Sequence, residues 1–273
     1  MLDGRPPEPA VDILLVKLVL TPALIGTASL AGRRWGAAVS GWLVGIPFTS
    51  APIALFLALG QGPAFAATAA AGTMAGTISQ AAFCVAYARI GVRFGSAVGV
   101  GAGAAAFALS TAVLQRVTLP LFPLVVLVMI ALCAALRLMP PPEGEPRAAA
   151  QILPAWDIPA RMVVATVFVL LLTGIAPALG PRLSGLLAPF PLYAIVLTVF
   201  AHRLEGPAPA LEVLRGLLLG LFAFAGFFLV LALLIERAGI AAAFAAGAVV
   251  IAAIQAGSLW ALRRPRAPAT TKC

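Results

Sequence analysis

The sequence predicts an all-α fold, a polytopic transmembrane bundle of about nine helices built as two inverted repeats, and three observations carry that expectation. Apolar residues fill 62% of 273 positions against 10% charged, and the mean hydropathy is +1.08, outside the range of soluble domains. Apolar stretches of spanning length alternate with basic residues that stand in ones and twos. Shifted by 144 residues, the chain matches itself over 36–104 and 180–248 without a gap.

Crossing about 30 Å of hydrocarbon at a rise of about 1.5 Å per residue takes roughly 20 apolar residues. Runs of that kind fall near 11–31, 36–60, 64–89, 94–115, 117–138, 160–179, 181–203, 209–235 and 239–262. The first reads as a retained helix: Ser29 and Ala31 suit a leader's cleavage site, but Asp3 and Glu8 offset Arg5 where a leader is basic. The fourth and fifth are parted only by Gln115, Arg116 and Val117, and the seventh carries paired prolines, so each also reads as a re-entrant or broken element. The polar stretch Met139 to Pro159, with Pro140, Pro141, Pro142, Glu143 and Glu145, reads as a loop joining two halves. The division is then 1–138 as first repeat plus connecting helix, five spans in all; 139–159 as a cytoplasmic loop; and 160–273 as second repeat, four spans, plus a basic tail.

Arginine and lysine cross a membrane poorly during insertion and collect in cytoplasmic loops. With the N-terminus outside and the C-terminus cytoplasmic, thirteen of the 18 basic residues, Arg89, Arg93, Arg161 and Arg203 among them, fall inside, and five, including Lys17 and Arg182, fall outside. The arginine- and alanine-rich composition points to a bacterial inner (plasma) membrane. A net charge of +9 would also suit nucleic acid, but the basic residues form no contiguous patch, and none is expected as partner. Cys84, Cys133 and Cys273 have no metal or disulfide spacing, so no metal or cofactor is expected.

The 144-residue offset matches 21 of 69 positions, including Pro47/Pro191, Gly62-Pro63/Gly206-Pro207, Phe83/Phe227 and Gly95/Gly239. Composition alone would give roughly six, so the pattern reads as an old duplication. The offset covers five crossings, an odd number, so the copies enter the membrane from opposite sides, as in secondary transporters.

Gly41-Trp-Leu-Val-Gly-Ile-Pro-Phe-Thr-Ser-Ala-Pro52 places two prolines, Thr49 and Ser50 inside one span, and Gly185-Leu-Leu-Ala-Pro-Phe-Pro191 does much the same. Proline lacks an N–H and clashes with the carbonyl four residues back, which frees Leu43 and Leu187. Groups freed in hydrocarbon need partners, so these breaks read either as a solute or ion site or as kinks satisfied by nearby hydroxyls. The candidate binding residues are Pro47, Thr49, Ser50, Thr77, Gln80, Pro191 and Tyr193. Thr77 and Gln80 share a helix face, and either serve one solute or bond across helices. Thr73, Thr77, Ser79 and Gln80 align with Leu217, Leu221, Ala223 and Phe224, so a polar cavity would be lined mostly by the first half. Gly72/Gly76 and Gly216/Gly220 are GxxxG pairs in equivalent helices and read as packing seams.

Lys17 reads as snorkelling outwards, and His202, the lone histidine, as an interfacial residue. No catalytic residue is assigned: an intramembrane enzyme needs a nucleophile with a base, or a metal cluster. Leu183-Ser-Gly-Leu-Leu-Ala-Pro-Phe-Pro-Leu, Ala201-His-Arg-Leu-Glu-Gly and Leu214-Arg-Gly-Leu-Leu-Leu-Gly-Leu resemble the small bacterial GlpM-like membrane proteins over residues 180–236. That resemblance implies an envelope-related membrane protein. The Gly-Trp-Leu-Val-Gly-Ile-Pro run is similar to helix openings in inverted-repeat carriers. Two functions follow as expectations: a secondary transporter or exporter of a small solute, or a non-transporting subunit or scaffold of a cell-envelope assembly system. The expected partners are the lipid bilayer, a small solute or ion, and a second copy of the chain.

Overall fold

Glycine followed by proline punctuates this chain. Gly62, Gly180 and Gly206 take φ of +89°, +75° and +102°, a conformation closed to other residues when ψ is extended, and the proline after each starts a helix at the position where its missing N–H is not needed. Gly95 and Gly239 (φ +91° and +83°) mark two more bends without proline. All five residues with positive φ among those described are glycines.

The computed structural model describes residues 10–35, 46–141 and 157–263. They form eight helices: α1 (Ala10–Trp35), α2 (Ser50–Gln61), α3 (Pro63–Phe94), α4 (Ser96–Arg116), α5 (Leu121–Leu138), α6 (Asp157–Leu187), α7 (Leu192–Leu204) and α8 (Pro207–Arg263). Five helices are long and apolar enough to cross a membrane: α3, α4, α5, α6 and α8. The expected runs at 209–235 and 239–262 are the two arms of α8, which fold back on each other at Gly239, where the backbone is non-helical. The run at 181–203 is divided: Pro181–Leu187 continues α6 past its bend at Gly180, and α7 begins only at Leu192. α4 and α5 are separate helices, joined through 117–120. Residues 36–45 of the second expected run, 142–156 of the expected loop and the tail 264–273 lie outside the described residues.

α3 is the hub. Most of its apolar window (72%) is buried, against 22% for α4 and α5, because its small residues let backbones approach. A Cβ on Gly72 would stand 2.7 Å from the Arg182 carbonyl oxygen, and one on Gly76 2.7 Å from that of Leu186, so the expected seam closes α3 onto the end of α6. Gly216 and Gly220 lie on α8, half-buried and buried. Gly103 takes the Phe83 ring between α4 and α3, and Gly247 takes the Phe227 ring within α8 across its bend. The outer faces carry bare apolar side chains: Leu109 on α4, Phe122 and Ile130 on α5, and Val249 on α8. Water would oppose so broad an apolar exterior and a bilayer would not.

Polar side chains close the ends. Arg89 donates to the Leu138 carbonyl at 2.9 Å, Arg215 to Pro140 at 3.0 Å, and Arg203 Nε to Ser96 Oγ at 3.3 Å. His202 Nδ1 lies 3.0 Å from the Tyr87 hydroxyl at this end. At the other end Arg182 donates to the carbonyls of Leu114 and Val117. Lys17 does not snorkel outwards: its Nζ donates to Thr173 Oγ1 at 3.0 Å and stands 5.5 Å from the Phe56 ring centre, tying α1 to α6 and α2.

Candidate functional site

The two proline breaks have the same local structure. Phe48 N–H donates to Ile46 O and Leu192 N–H to Phe190 O, each at 2.8 Å, so that Pro47 and Pro191 each centre a three-residue turn. The helices then restart identically, with Ala51 N–H to Pro47 O and Ile195 N–H to Pro191 O, both at 2.8 Å. Proline's fixed φ suits that turn, and its missing donor removes the bond that would have carried a helix through.

The breaks meet. Ser50 Oγ donates to the Ala188 carbonyl at 2.9 Å, from a hydroxyl 2% exposed. Between them lies a pocket of about 40 Å³, lined by Ile46, Pro47, Phe48, Thr49 and Ser50 from one break, Pro189 to Ala194 from the other, Gln80 from α3, and Leu217, Leu221 and Phe224 from α8. That is room for a few waters or one small ion in this conformation, not for a drug-sized molecule. Twelve of these fifteen residues form six pairs 144 positions apart: Ile46/Phe190, Pro47/Pro191, Phe48/Leu192, Thr49/Tyr193, Ser50/Ala194 and Gln80/Phe224.

Of the seven candidate binding residues, Pro47, Thr49, Ser50, Gln80, Pro191 and Tyr193 line this pocket and Thr77 does not. Thr77 is fully buried and its hydroxyl donates to Met74 O at 2.6 Å, within its own helix. Thr73 bonds its own helix in the same way, at Ala69 O, and Ser79 accepts from Thr111 on α4 at 2.9 Å. The first half's polar stripe therefore contributes one α3 side chain to the pocket, Gln80. It is 6% exposed, and its Oε1 has no hydrogen-bond partner. The Leu187 carbonyl, expected to be freed by Pro191, accepts Phe190 N–H at 3.0 Å instead. Leu43, its counterpart, lies outside the described residues.

Two features of the site escaped the sequence reading. Arg161, counted there as a loop charge, stands in α6, 5% exposed, with its guanidinium 5.3 Å from the Tyr193 ring centre. The offset itself pointed to it, since Arg161 follows Lys17 by 144 residues. Phe190 is held edge-on by Phe107 at 5.1 Å and so braces the second break; nothing in its sequence context marked it. Among the described residues no group of three or more His, Cys, Asp or Glu is placed to hold a metal ion. Compared with family models, curated proteins and solved structures, the chain matches none of them.

Proposed function

We propose that this chain is a secondary carrier of a small solute or ion in a bacterial plasma membrane, built from two inverted halves that meet at the pocket. One observation carries the reading: two proline-centred turns of the same hydrogen-bond pattern, 144 residues apart, meet at one pocket into which Thr49, Ser50, Gln80 and Tyr193 bring polar groups. Broken helices at the contact of two repeats are how transporters place backbone groups at mid-depth without exposing them to lipid. The duplication has further support in the bends at Gly62 and Gly206 and at Gly95 and Gly239, and in the Gly103–Phe83 and Gly247–Phe227 contacts, all at the same offset. The first helix of each half carries a cation at the corresponding place, Lys17 and Arg161. For the topology, N-terminus outside and C-terminus cytoplasmic, the support is that Arg89, Arg203 and Arg215 gather at one end and Arg182 at the other.

A carrier opens its site to each side of the membrane in turn. In a background freed of Cys84, Cys133 and Cys273, a cysteine at Thr49 is expected to react with a membrane-impermeant thiol reagent applied to either face of oriented vesicles. Reaction from one face only, or from neither, would favour a scaffold subunit in an envelope assembly over a carrier.

A further inference from the structure

The pocket's hydrogen-bonding character selects a ligand class, on the carrier reading just given. Both restarted helices begin at the pocket: Thr49 and Ser50 open α2, and Pro191 to Ala194 open α7. A helix N-terminus carries roughly half a positive charge; here the first-turn N–H groups of Ser50, Tyr193 and Ala194 have no backbone acceptor, whereas Ala51 and Leu192 donate to the Pro47 and Phe190 carbonyls and Pro52 has no N–H. Two of them converging on one cavity make about one positive charge before any side chain is counted.

Most carbonyls at the two breaks are already engaged, those of Phe48 and Pro189 excepted among the described residues. Those of Ile46, Pro47 and Thr49 accept from Phe48, Ala51 and Ile53. Leu187, Phe190 and Pro191 accept from Phe190, Leu192 and Ile195, and Ala188 accepts from Ser50 Oγ. Gln80 supplies an independent observation. Its carboxamide is more than nine-tenths buried in the pocket wall with its oxygen unbonded, in a lining that also includes Leu221 and Phe224. An amide turned about its last bond offers an NH₂ in place of the oxygen at no cost in packing. No aspartate or glutamate lines the pocket, and Arg161 stands behind Tyr193.

We infer that the pocket binds a small monovalent anion, of the size of chloride, nitrate or formate, between the two helix N-termini and the Gln80 amide. The volume of about 40 Å³ accepts an ion of that size and little more.

The test heats the purified full-length protein in lipid nanodiscs in sodium gluconate, then with gluconate exchanged for chloride, nitrate or formate at constant ionic strength. A second series holds gluconate and exchanges sodium for potassium or choline. The expected result is a saturable rise of about 5 °C in unfolding temperature with at least one of the three small anions. Half-saturation should rise at least tenfold in Gln80→Leu, and the response should vanish in Gln80→Glu, a near-isosteric change that places a negative charge in the pocket. An anion response equal in both variants and the unaltered protein would overturn the assignment by placing the ion elsewhere. Stabilisation that follows the cation would overturn the anion class and leave the carrier reading standing. No response to any of these ions, with the Thr49 cysteine labelled from both faces, also defeats the anion class alone; with one-sided labelling, both readings fall.

Discussion

Gln80 holds an unbonded carbonyl oxygen inside the protein, an arrangement that costs about 1–3 kcal/mol wherever no partner arrives. Replacing it by leucine is therefore expected to raise the stability of the ligand-free protein by about that amount, read from unfolding in mixed detergent, while weakening the anion response. A residue that stabilised the fold would behave oppositely. Glycine positions divide by what a methyl group would meet. Gly76→Ala pushes a Cβ to 2.7 Å from the Leu186 oxygen and should lose about 1–3 kcal/mol, whereas Gly101→Ala meets nothing within 4 Å and should gain up to about 1 kcal/mol from helix propensity; thermal unfolding of the two variants side by side checks both signs. At this scale the sequence was legible where backbone chemistry alone decided the outcome. Pro47 and Pro191 break their segments because neither has an N–H to give. It was illegible where rotation about a helix decided: Thr77 and Gln80 are three apart on α3, yet Thr77 folds onto Met74 and only Gln80 reaches the pocket.

Helices in this chain are joined by glycines whose φ no other residue adopts without strain. Gly62→Ala and Gly206→Ala are each expected to cost about 1–3 kcal/mol, and the double variant about the sum if the two joints act independently. Equilibrium unfolding of the three variants measures both. Loss beyond the sum would show that the joints are coupled. Ser50→Ala removes the Ser50–Ala188 bond between the breaks and should cost about 1 kcal/mol by the same measurement. The apolar runs showed where helices lie but not where they continue. Glu236 and Arg237 look like a loop in sequence, yet α8 passes through them and bends at Gly239, because a single glycine with positive φ changes direction without releasing the flanking turns. Arg161 was hidden for a related reason: a basic residue near a span's end looks like a topology signal, and its burial against Tyr193 depends on α6 and α7 meeting in space.

As a whole, the chain is a set of helices packed about α3, apolar outside and sealed by arginines at both ends. On the proposed topology, with four crossings between them, reporters fused after Leu138 and after Leu262 are both expected to register cytoplasm; an external signal at either point would contradict the nine-crossing topology and the inversion with it. The all-helical class, the small-residue seam on α3 and six of the seven candidate pocket residues could be read from periodicity and from the 144-residue match, which are local properties of a sequence. The size of the pocket could not, because Leu217, Leu221 and Phe224 close it from a helix whose rotation the sequence leaves open. Those apolar residues have a thermodynamic consequence. If the two halves of a carrier were chemically identical, its inward-open and outward-open forms would be related by the two-fold rotation and equally populated. Here Gln80 and Ser50 stand where the second half has Phe224 and Ala194, so a hydrogen bond made by either in one such form would have no counterpart in the other. On the carrier proposal each such mismatch would be worth about 1 kcal/mol, and the two acting together would bias the populations by roughly thirtyfold, giving the empty protein a resting orientation written into two side chains.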